Sequence, residues 1–253
     1  MINIILHGCN GRMGRMIADI CREDETVSIA AGVDVADPGN TPFPVFTDIT
    51  QCSVKADAVI DFSTAKAADS VLAFCVARRL PLVFCTTGLS EEQLKKAEEA
   101  SKKIALLKSA NMSLGINTLF DLLQRAAKAL APAGFDIEIV EKHHNQKLDA
   151  PSGTALALAD AVNGAMGNIY EYKFDRSTER KKRDAKELGI SAVRGGTIVG
   201  EHEIIFAGTD EVIEIRHAAY SRAVFAKGAV EAAKFLAGKE PGYYDMRNVV
   251  CAK

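Results

Sequence analysis

The chain has 253 residues, of which 48% are hydrophobic and 25% charged, and its formal net charge is -2 at pH 7. That length leaves room for two domains, and the composition is that of a globular protein. The charge carries no footprint of a nucleic-acid or anionic-membrane partner, and no apolar run approaches the roughly 20 residues that span a bilayer. The N-terminus enters Ile2-Asn3-Ile4-Ile5-Leu6 with no basic segment or cleavage site, so no signal peptide is expected. Six scattered cysteines (Cys9, Cys21, Cys52, Cys75, Cys85, Cys251) form no C-x-x-C pair and read as reduced thiols of a cytoplasmic protein.

The first half alternates strand and helix signals. Ile2–Leu6 reads as a buried strand, and the turn that follows leads into a helix reaching about Arg22. Strands are expected at Val27–Val33, Ala58–Phe62, Leu82–Cys85 and Ile104–Leu107, with a helix over about Lys66–Arg79. Ser90 and Gln93 have the spacing of a capping box for the next helix. Strands alternating with helices predict a parallel, doubly wound sheet.

The turn after the first strand, His7-Gly8-Cys9-Asn10-Gly11-Arg12-Met13-Gly14, carries glycines in a G-x-x-G-x-x-G pattern, and Asp34 ends the second strand 20 residues past Gly14. Glycines let backbone approach a pyrophosphate, the helix N-terminus offers N–H donors, and a carboxylate at that distance suits a ribose. This predicts a dinucleotide site; a tight turn with a surface aspartate is the plainer alternative. His7 is given no role. Asp61-Phe62-Ser63-Thr64, Cys85-Thr86-Thr87-Gly88 and Ser109-Ala110-Asn111-Met112 each follow a strand, where ligands bind in such sheets. Each alone is an ordinary turn; three around one crevice strengthen the reading. Asp34 can bond both ribose hydroxyls of NADH, and Val35 gives no positive charge for a 2′-phosphate, so NADH is expected to be preferred and NADPH to remain usable.

After about residue 113 the texture changes. Leu114–Leu130 reads as an amphipathic helix stopped by Ala131-Pro132-Ala133-Gly134, Phe135–Val140 as a half-buried strand, and Thr154–Met166 as an alanine-rich helix. Ser177–Lys186, with Arg180, Lys181, Lys182 and Arg183, reads as a solvated face or a steering patch. Strands follow at Ile190–Val193, Ile198–Phe206 and Glu211–His217, a mixed sheet with one face open to a partner chain. Ser221–Leu236 returns to helix and rejoins the first domain.

The segment Glu141-Lys142-His143-His144-Asn145-Gln146-Lys147-Leu148-Asp149-Ala150-Pro151-Ser152-Gly153-Thr154-Ala155 concentrates the chemistry. Ser152-Gly153-Thr154 opens a helix, so its N–H groups and hydroxyls suit a carboxylate. Lys147 can hold a second carboxylate or deliver a proton. His143 and His144 can titrate near neutral pH, but on an extended segment they point to opposite faces and should not share a role. No third ligand is placed by spacing, so no metal is expected, and no G-x-S-x-G elbow supports a hydrolase.

The sequence resembles the 4-hydroxy-tetrahydrodipicolinate reductase (dihydrodipicolinate reductase) family nearly end to end. The residues that carry the likeness are the Gly8–Gly14 loop, Cys85-Thr86-Thr87-Gly88, Ala110-Asn111-Met112-Ser113, the whole of 141–155, Val193-Arg194-Gly195-Gly196, Ile198–His202, and Gly238-Lys239-Glu240-Pro241-Gly242 with Asp245-Met246-Arg247. The resemblance implies a Rossmann-like α/β domain of residues 1–112 and 218–253, with a second α+β domain over 113–217 that carries a mixed sheet and builds a homotetramer. It implies that His143 is the acid/base residue and Lys147 the proton donor. His144, Lys147, Ser152, Gly153 and Thr154 would bind the substrate carboxylates. Gly8, Cys9, Asn10, Gly11, Arg12, Met13, Asp34, Phe62, Ser63, Cys85, Thr86, Thr87, Ser109, Ala110, Asn111 and Met112 would line the NADH or NADPH site. The family delivers hydride to a cyclic conjugated imine formed as the 4-hydroxy substrate loses water, and the enamine left behind is protonated. Cys85 replaces a frequent glycine, Met112 a frequent phenylalanine, and Val35 an arginine found in some members. Another two-domain amino-acid dehydrogenase, or a nucleotide sensor that does not need His143 and Lys147, are the alternative readings.

Overall fold

A computed structural model of the protein describes residues 1–252. The chain folds as two compact units, Met1–Leu114 with the segment from Ala223, and Gly115–Arg222. With elements numbered in chain order, the first unit begins with β1 (Ile2–His7), α1 (Arg12–Glu23), β2 (Val27–Val33), β3 (Val45–Phe46), β4 (Ala58–Asp61), α2 (Ala68–Arg78), β5 (Leu82–Phe84), α3 (Glu91–Ser101) and β6 (Ala105–Leu107). The second contains α4 (Leu114–Leu130), β7 (Asp136–His143), α5 (Gly153–Ala165), β8 (Glu171–Lys173), β9 (Glu187–Arg194), β10 (Gly200–Ala207) and β11 (Val212–Ala219). The chain then returns through α6 (Ala223–Leu236), β12 (Gly242–Tyr244) and α7 (Met246–Cys251) to the first unit. No helix among the described residues is long and apolar enough to cross a membrane.

The first unit is a seven-stranded sheet in the order β12-β6-β5-β4-β1-β2-β3, with every neighbouring pair parallel. Its strands are continuous apolar runs because both faces are covered. Ile4, Leu6, Ile60 and Leu107 pack with Ile17 of α1, Ala229 and Val230 of α6, and Val249 of α7. Ile5, Val59, Leu82 and Leu106 pack on the other face with Val71 and Leu72 of α2 and Ala97 of α3. The doubly wound parallel architecture is therefore as expected. The capping box of α3 is formed in both directions, Gln93 N donating to Ser90 Oγ and Ser90 N to Gln93 Oε1. Three elements of this unit, and β8 of the second, are not expected from the sequence. β3 and β12 have only two and three residues, too few to show a period. The short α7 is announced only by its cap, where Asp245 accepts from Arg247 N and Asn248 N. The helix expected from Lys66 begins with a 3-10 turn, Ala65–Ala67, and becomes α-helical at Ala68.

The sheet of the second unit runs β11-β10-β7-β9-β8 and is mixed, as expected: β10 is antiparallel to both neighbours while β7, β9 and β8 are parallel. Ile137, Ile139, Leu188, Ile190, Ile204 and Phe206 pack against Ile116, Leu119 and Leu123 of α4 and Leu158 and Val162 of α5. On the opposite face Glu138, Val140, Lys142, Glu201 and Glu203 are only partly buried, and Lys142 Nζ lies 3.7 Å from Glu201 and 3.8 Å from Glu203. The basic segment is not simply solvated. Arg183 bonds Glu138, Asp136 and the carbonyls of Ile137 and Glu187, tying this irregular stretch to the starts of β7 and β9.

β7 continues three residues beyond the expected end at Val140. Its alternation therefore carries Glu141 and His143 onto the same core-facing side as Ile137 and Ile139.

Close packing of α6 fixes one glycine. A Cβ on Gly228 would stand 1.7 Å from the Met112 carbonyl oxygen. Gly228→Ala is expected to lower stability by about 1–3 kcal/mol, despite alanine's better helix propensity, because backbone must move. Urea unfolding measures it, and an unchanged midpoint would mean that the contact relaxes without cost.

Candidate active site

In the first unit the dinucleotide loop is built by backbone contact. Gly8 has φ +82, and a Cβ there would stand 2.6 Å from the Phe62 carbonyl oxygen. A Cβ on Gly14 would stand 2.2 Å from the Gly8 carbonyl oxygen. Small residues thus let three pieces of chain meet at the C-terminal ends of β1 and β4. Gly11, the N-cap of α1, has no side chain to cap the helix, which leaves its first N–H groups for an anion. Asp34 is oriented by two N–H groups, with Oδ2 accepting from Asn10 N at 2.8 Å and Oδ1 from Val35 N at 2.8 Å; Val35 is fully open to solvent.

Below these loops lies fully buried Asp61, which accepts from Thr86 Oγ1 at 2.6 Å and from Ser63 N at 3.3 Å. His7 Nδ1 sits 2.9 Å from Asp61 Oδ1, without the alignment of a hydrogen bond. Lys108 Nζ donates to the Thr86 carbonyl, linking the loops after β5 and β6; burial pushes this ammonium's pKa down. Ser63 Oγ is buried with no partner, the kind of orphaned group that a bound ligand satisfies. Of the residues expected to line a dinucleotide, Cys9, Thr86 and Met112 turn their side chains inward. Gly11, Arg12, Thr87 and Ala110 are exposed, and Asn10, Met13, Phe62, Ser63, Cys85, Ser109 and Asn111 are partly so. The loop glycines, Asn10, Asp34, Phe62, Ser63 and the two later loops share the C-terminal edge of one sheet, and this fits the group.

In the second unit the chemistry gathers around Glu141. Its carboxylate is wholly buried and receives four hydrogen bonds: Arg194 Nη1 and Nη2 at 2.7 Å each, Ser152 N at 2.9 Å, and His143 Nδ1 at 2.6 Å. Burial pushes the Glu141 carboxyl up, but the hydrogen bonds from Arg194, His143 and Ser152 together hold it below the ordinary value. Ser152, the N-cap of α5, accepts from Ala155 N, and its hydroxyl shares a hydrogen bond with His202 Nε2 at 3.0 Å. His143 and His202 meet edge to face, with ring centroids 5.3 Å apart. Burial pushes the His143 pKa down, against the pull of Glu141.

His144 follows the last residue of β7 and is partly exposed, whereas His143 is buried. Lys147 Nζ is 2.8 Å from Asp149 Oδ1, and the Asp149 carboxyl is held low first by Lys147 and more weakly by N–H groups that include Gly153. An internal carboxylate thus pairs with Lys147, one of the groups expected to hold a substrate carboxylate. Glu141, Arg194 and His202 stand in segments quoted from the sequence but were given no role there. Glu141 was findable, since a carboxylate in phase with Ile137 and Ile139 demands partners; Arg194, 53 positions away, gives no local sign. No group of three or more His, Cys, Asp or Glu among the described residues is arranged to hold a metal.

A glycine-looped parallel sheet in one unit and a histidine–lysine–helix-terminus cluster in the other define an NAD(P)-dependent oxidoreductase of two-domain plan. Residues 2–112 match the family model "Dihydrodipicolinate reductase, N-terminus", and residues 115–250 match its C-terminus counterpart. The chain is 53% identical over 253 residues to a 4-hydroxy-tetrahydrodipicolinate reductase of Caldanaerobacter subterraneus subsp. tengcongensis, covering 99% of this chain and 98% of the relative. It is 50% identical to the enzyme of that name from Clostridium tetani, covering 97% and 96%. A dipicolinate-bound dihydrodipicolinate reductase from Paenisporosarcina sp. TG-14 superposes with a TM-score of 0.81 at 24% identity, over 98% of this chain and 99% of that one, a likeness of fold. The chain belongs to the dihydrodipicolinate reductase family.

His202 makes the cluster sensitive to acid. Burial, then the neighbouring His143, pushes its pKa down to about 4, below the roughly 6.5 of an unfolded chain. The unfolded state therefore binds the proton first, and stability present above about pH 6.5 drains as pH falls toward 4, by up to about 3 kcal/mol from this group. His202→Gln is expected to show a smaller drop in urea stability between pH 7 and pH 4.5 than the wild type; equal drops would remove His202 as the source.

Proposed function

We propose that this protein reduces 4-hydroxy-tetrahydrodipicolinate to tetrahydrodipicolinate with NADH or NADPH and loss of water, in the lysine and diaminopimelate route. The observation that carries the reading is the gathering of buried His143, Lys147 and the N-terminus of α5 in one unit, with Lys147 ion-paired to Asp149. When bound, the reduced nicotinamide supplies the hydride. Ser152, Gly153 and Thr154 hold one carboxylate through the helix terminus, while His144 and Lys147 hold the other. As a substrate carboxylate displaces Asp149, the Lys147 ammonium is released from an exposed pair worth about 0–1 kcal/mol, a small cost. His143 and Lys147 then exchange protons with the ring left after reduction. Assembly is proposed as a homotetramer through the partly exposed face of the second sheet, and the location as cytoplasmic. A dihydrodipicolinate synthase generating substrate in situ, with nicotinamide absorbance followed, tests the activity directly.

His143→Gln and Lys147→Ala are each expected to lower kcat by about a hundredfold or more, within the range of general acid catalysis. NADH affinity, measured by the enhancement of NADH fluorescence, should stay near wild type. Wild-type turnover in both variants would end their assignment as proton-transfer residues.

Asp34 facing the ribose, with solvent-exposed Val35 beside it, supports a modest preference for NADH. A 2′-phosphate near that carboxylate meets a screened like-charge penalty on the order of 1 kcal/mol. Val35→Arg is expected to narrow or reverse the preference, mainly through KM for NADPH, in kcat/KM ratios for the two cofactors. A wild type that favours NADPH tenfold would mean that Arg12, the cation of the glycine loop, reaches the 2′-phosphate and governs the pocket in place of Asp34.

A further inference from the structure

The residues that touch substrate do not explain why a fully buried carboxylate, a partly buried arginine and two buried histidines lie behind them. Glu141, on β7, is two residues before His143 and shares its face of the strand. Arg194, at the end of β9, pairs in register with His143 and grips both Glu141 oxygens. Arg194 Nη2 also donates to the Asp149 carbonyl at 2.6 Å, and Ser152 N–H donates to Glu141, so the pair is tied to the α5 end of the loop that follows β7.

An ionised carboxylate only accepts hydrogen bonds. With Glu141 Oε2 2.6 Å from His143 Nδ1, the proton on that side belongs to Nδ1, and Nε2 is left as the nitrogen that gains and loses a proton. The nitrogen on the far side of the ring meets a residue without a side chain: a Cβ on Gly200 would stand 3.1 Å from His143 Nε2. We propose that Glu141 is a positioning residue for His143. It fixes the tautomer and the ring's direction, while Arg194 offsets the Glu141 charge so that His143 exchanges its proton instead of remaining locked in an ion pair.

The groups facing His143 come from every side. Glu141 of its own strand favours the charged ring; Arg194 of β9, Lys147 of the following loop and burial disfavour it. His202 of β10 also touches it, and is neutral at pH 7. The two partners therefore pull in opposite directions. Removing Glu141 takes away the one anion against the ring. Removing Arg194 takes away a like charge and leaves Glu141 uncompensated.

The inference rests on His143 as the acid/base residue, but its test reads the ring itself. Histidine Cε1 is labelled with carbon-13 in the full-length protein, and the His143 signal is identified by its loss in His143→Gln. Its titration is followed by NMR in Glu141→Gln, Arg194→Met and wild type. The midpoint is expected to move to lower pH in Glu141→Gln and to higher pH in Arg194→Met. In Glu141→Gln, kcat falls at least about tenfold with NADH affinity unchanged, and Glu141→Asp recovers part of it. Midpoints that stay put while kcat falls, or that move the same way in both variants, would overturn the proposal and leave Glu141 a structural group. If Glu141→Gln does not fold, the upward shift in Arg194→Met and the Glu141→Asp titration carry the test, and no upward shift overturns it. Wild-type turnover in His143→Gln would instead remove the catalytic reading and leave the ring's positioning to be judged on the titrations alone.

Discussion

Everything in the second unit turns on one carboxylate that water cannot reach. Glu141 is a charge inside a core, and such a charge is tolerated only when its hydrogen-bonding capacity is met. The protein meets it with a bidentate arginine, a backbone N–H and an imidazole. Each partner belongs to a different stretch of chain: the end of β9, the N-cap of α5 and the end of β7. Satisfying Glu141 therefore assembles the site. The same contacts that neutralise a buried charge bring a titratable ring and a helix N-terminus into fixed relation, so stability and chemistry share one set of hydrogen bonds.

The first unit reaches an equivalent end through absence. Gly8 and Gly14 allow backbone to lie where a side chain would collide, and the space between β1, α1 and β4 is set by those contacts. Buried Asp61 then gathers the loops behind it, taking the Thr86 hydroxyl from the end of β5 and the Ser63 N–H from its own strand's turn. One unit organises its ligand edge by removing side chains, the other by burying one that needs company.

The lowered basicity of His143 and His202 follows from the same burial. Desolvation disfavours a charged ring in both, but only His143 has a carboxylate in contact to oppose it. Two histidines side by side thus meet different surroundings: His202 lies against the N-cap hydroxyl of α5, while the Glu141 carboxylate opposes the effect of burial at His143.

Much of this was legible in the chain itself. The apolar runs and their spacing determined a doubly wound parallel sheet followed by a mixed one, because hydrophobic periodicity and glycine placement are local properties. Ser90 with Gln93 predicted a capping box that forms as read, and Ser152 stands at the helix start the sequence placed within one residue. What the sequence could not reveal were partnerships between distant residues. His202 and Ser152 are 50 positions apart, Arg194 and Glu141 are 53, and nothing in either neighbourhood names the other. β7 ran on past Val140 because Glu141 and His143 had partners waiting on the core side. Local pattern fixes which face a residue takes; only the folded sheet, by laying β9 and β10 on either side of β7, decides what that face meets.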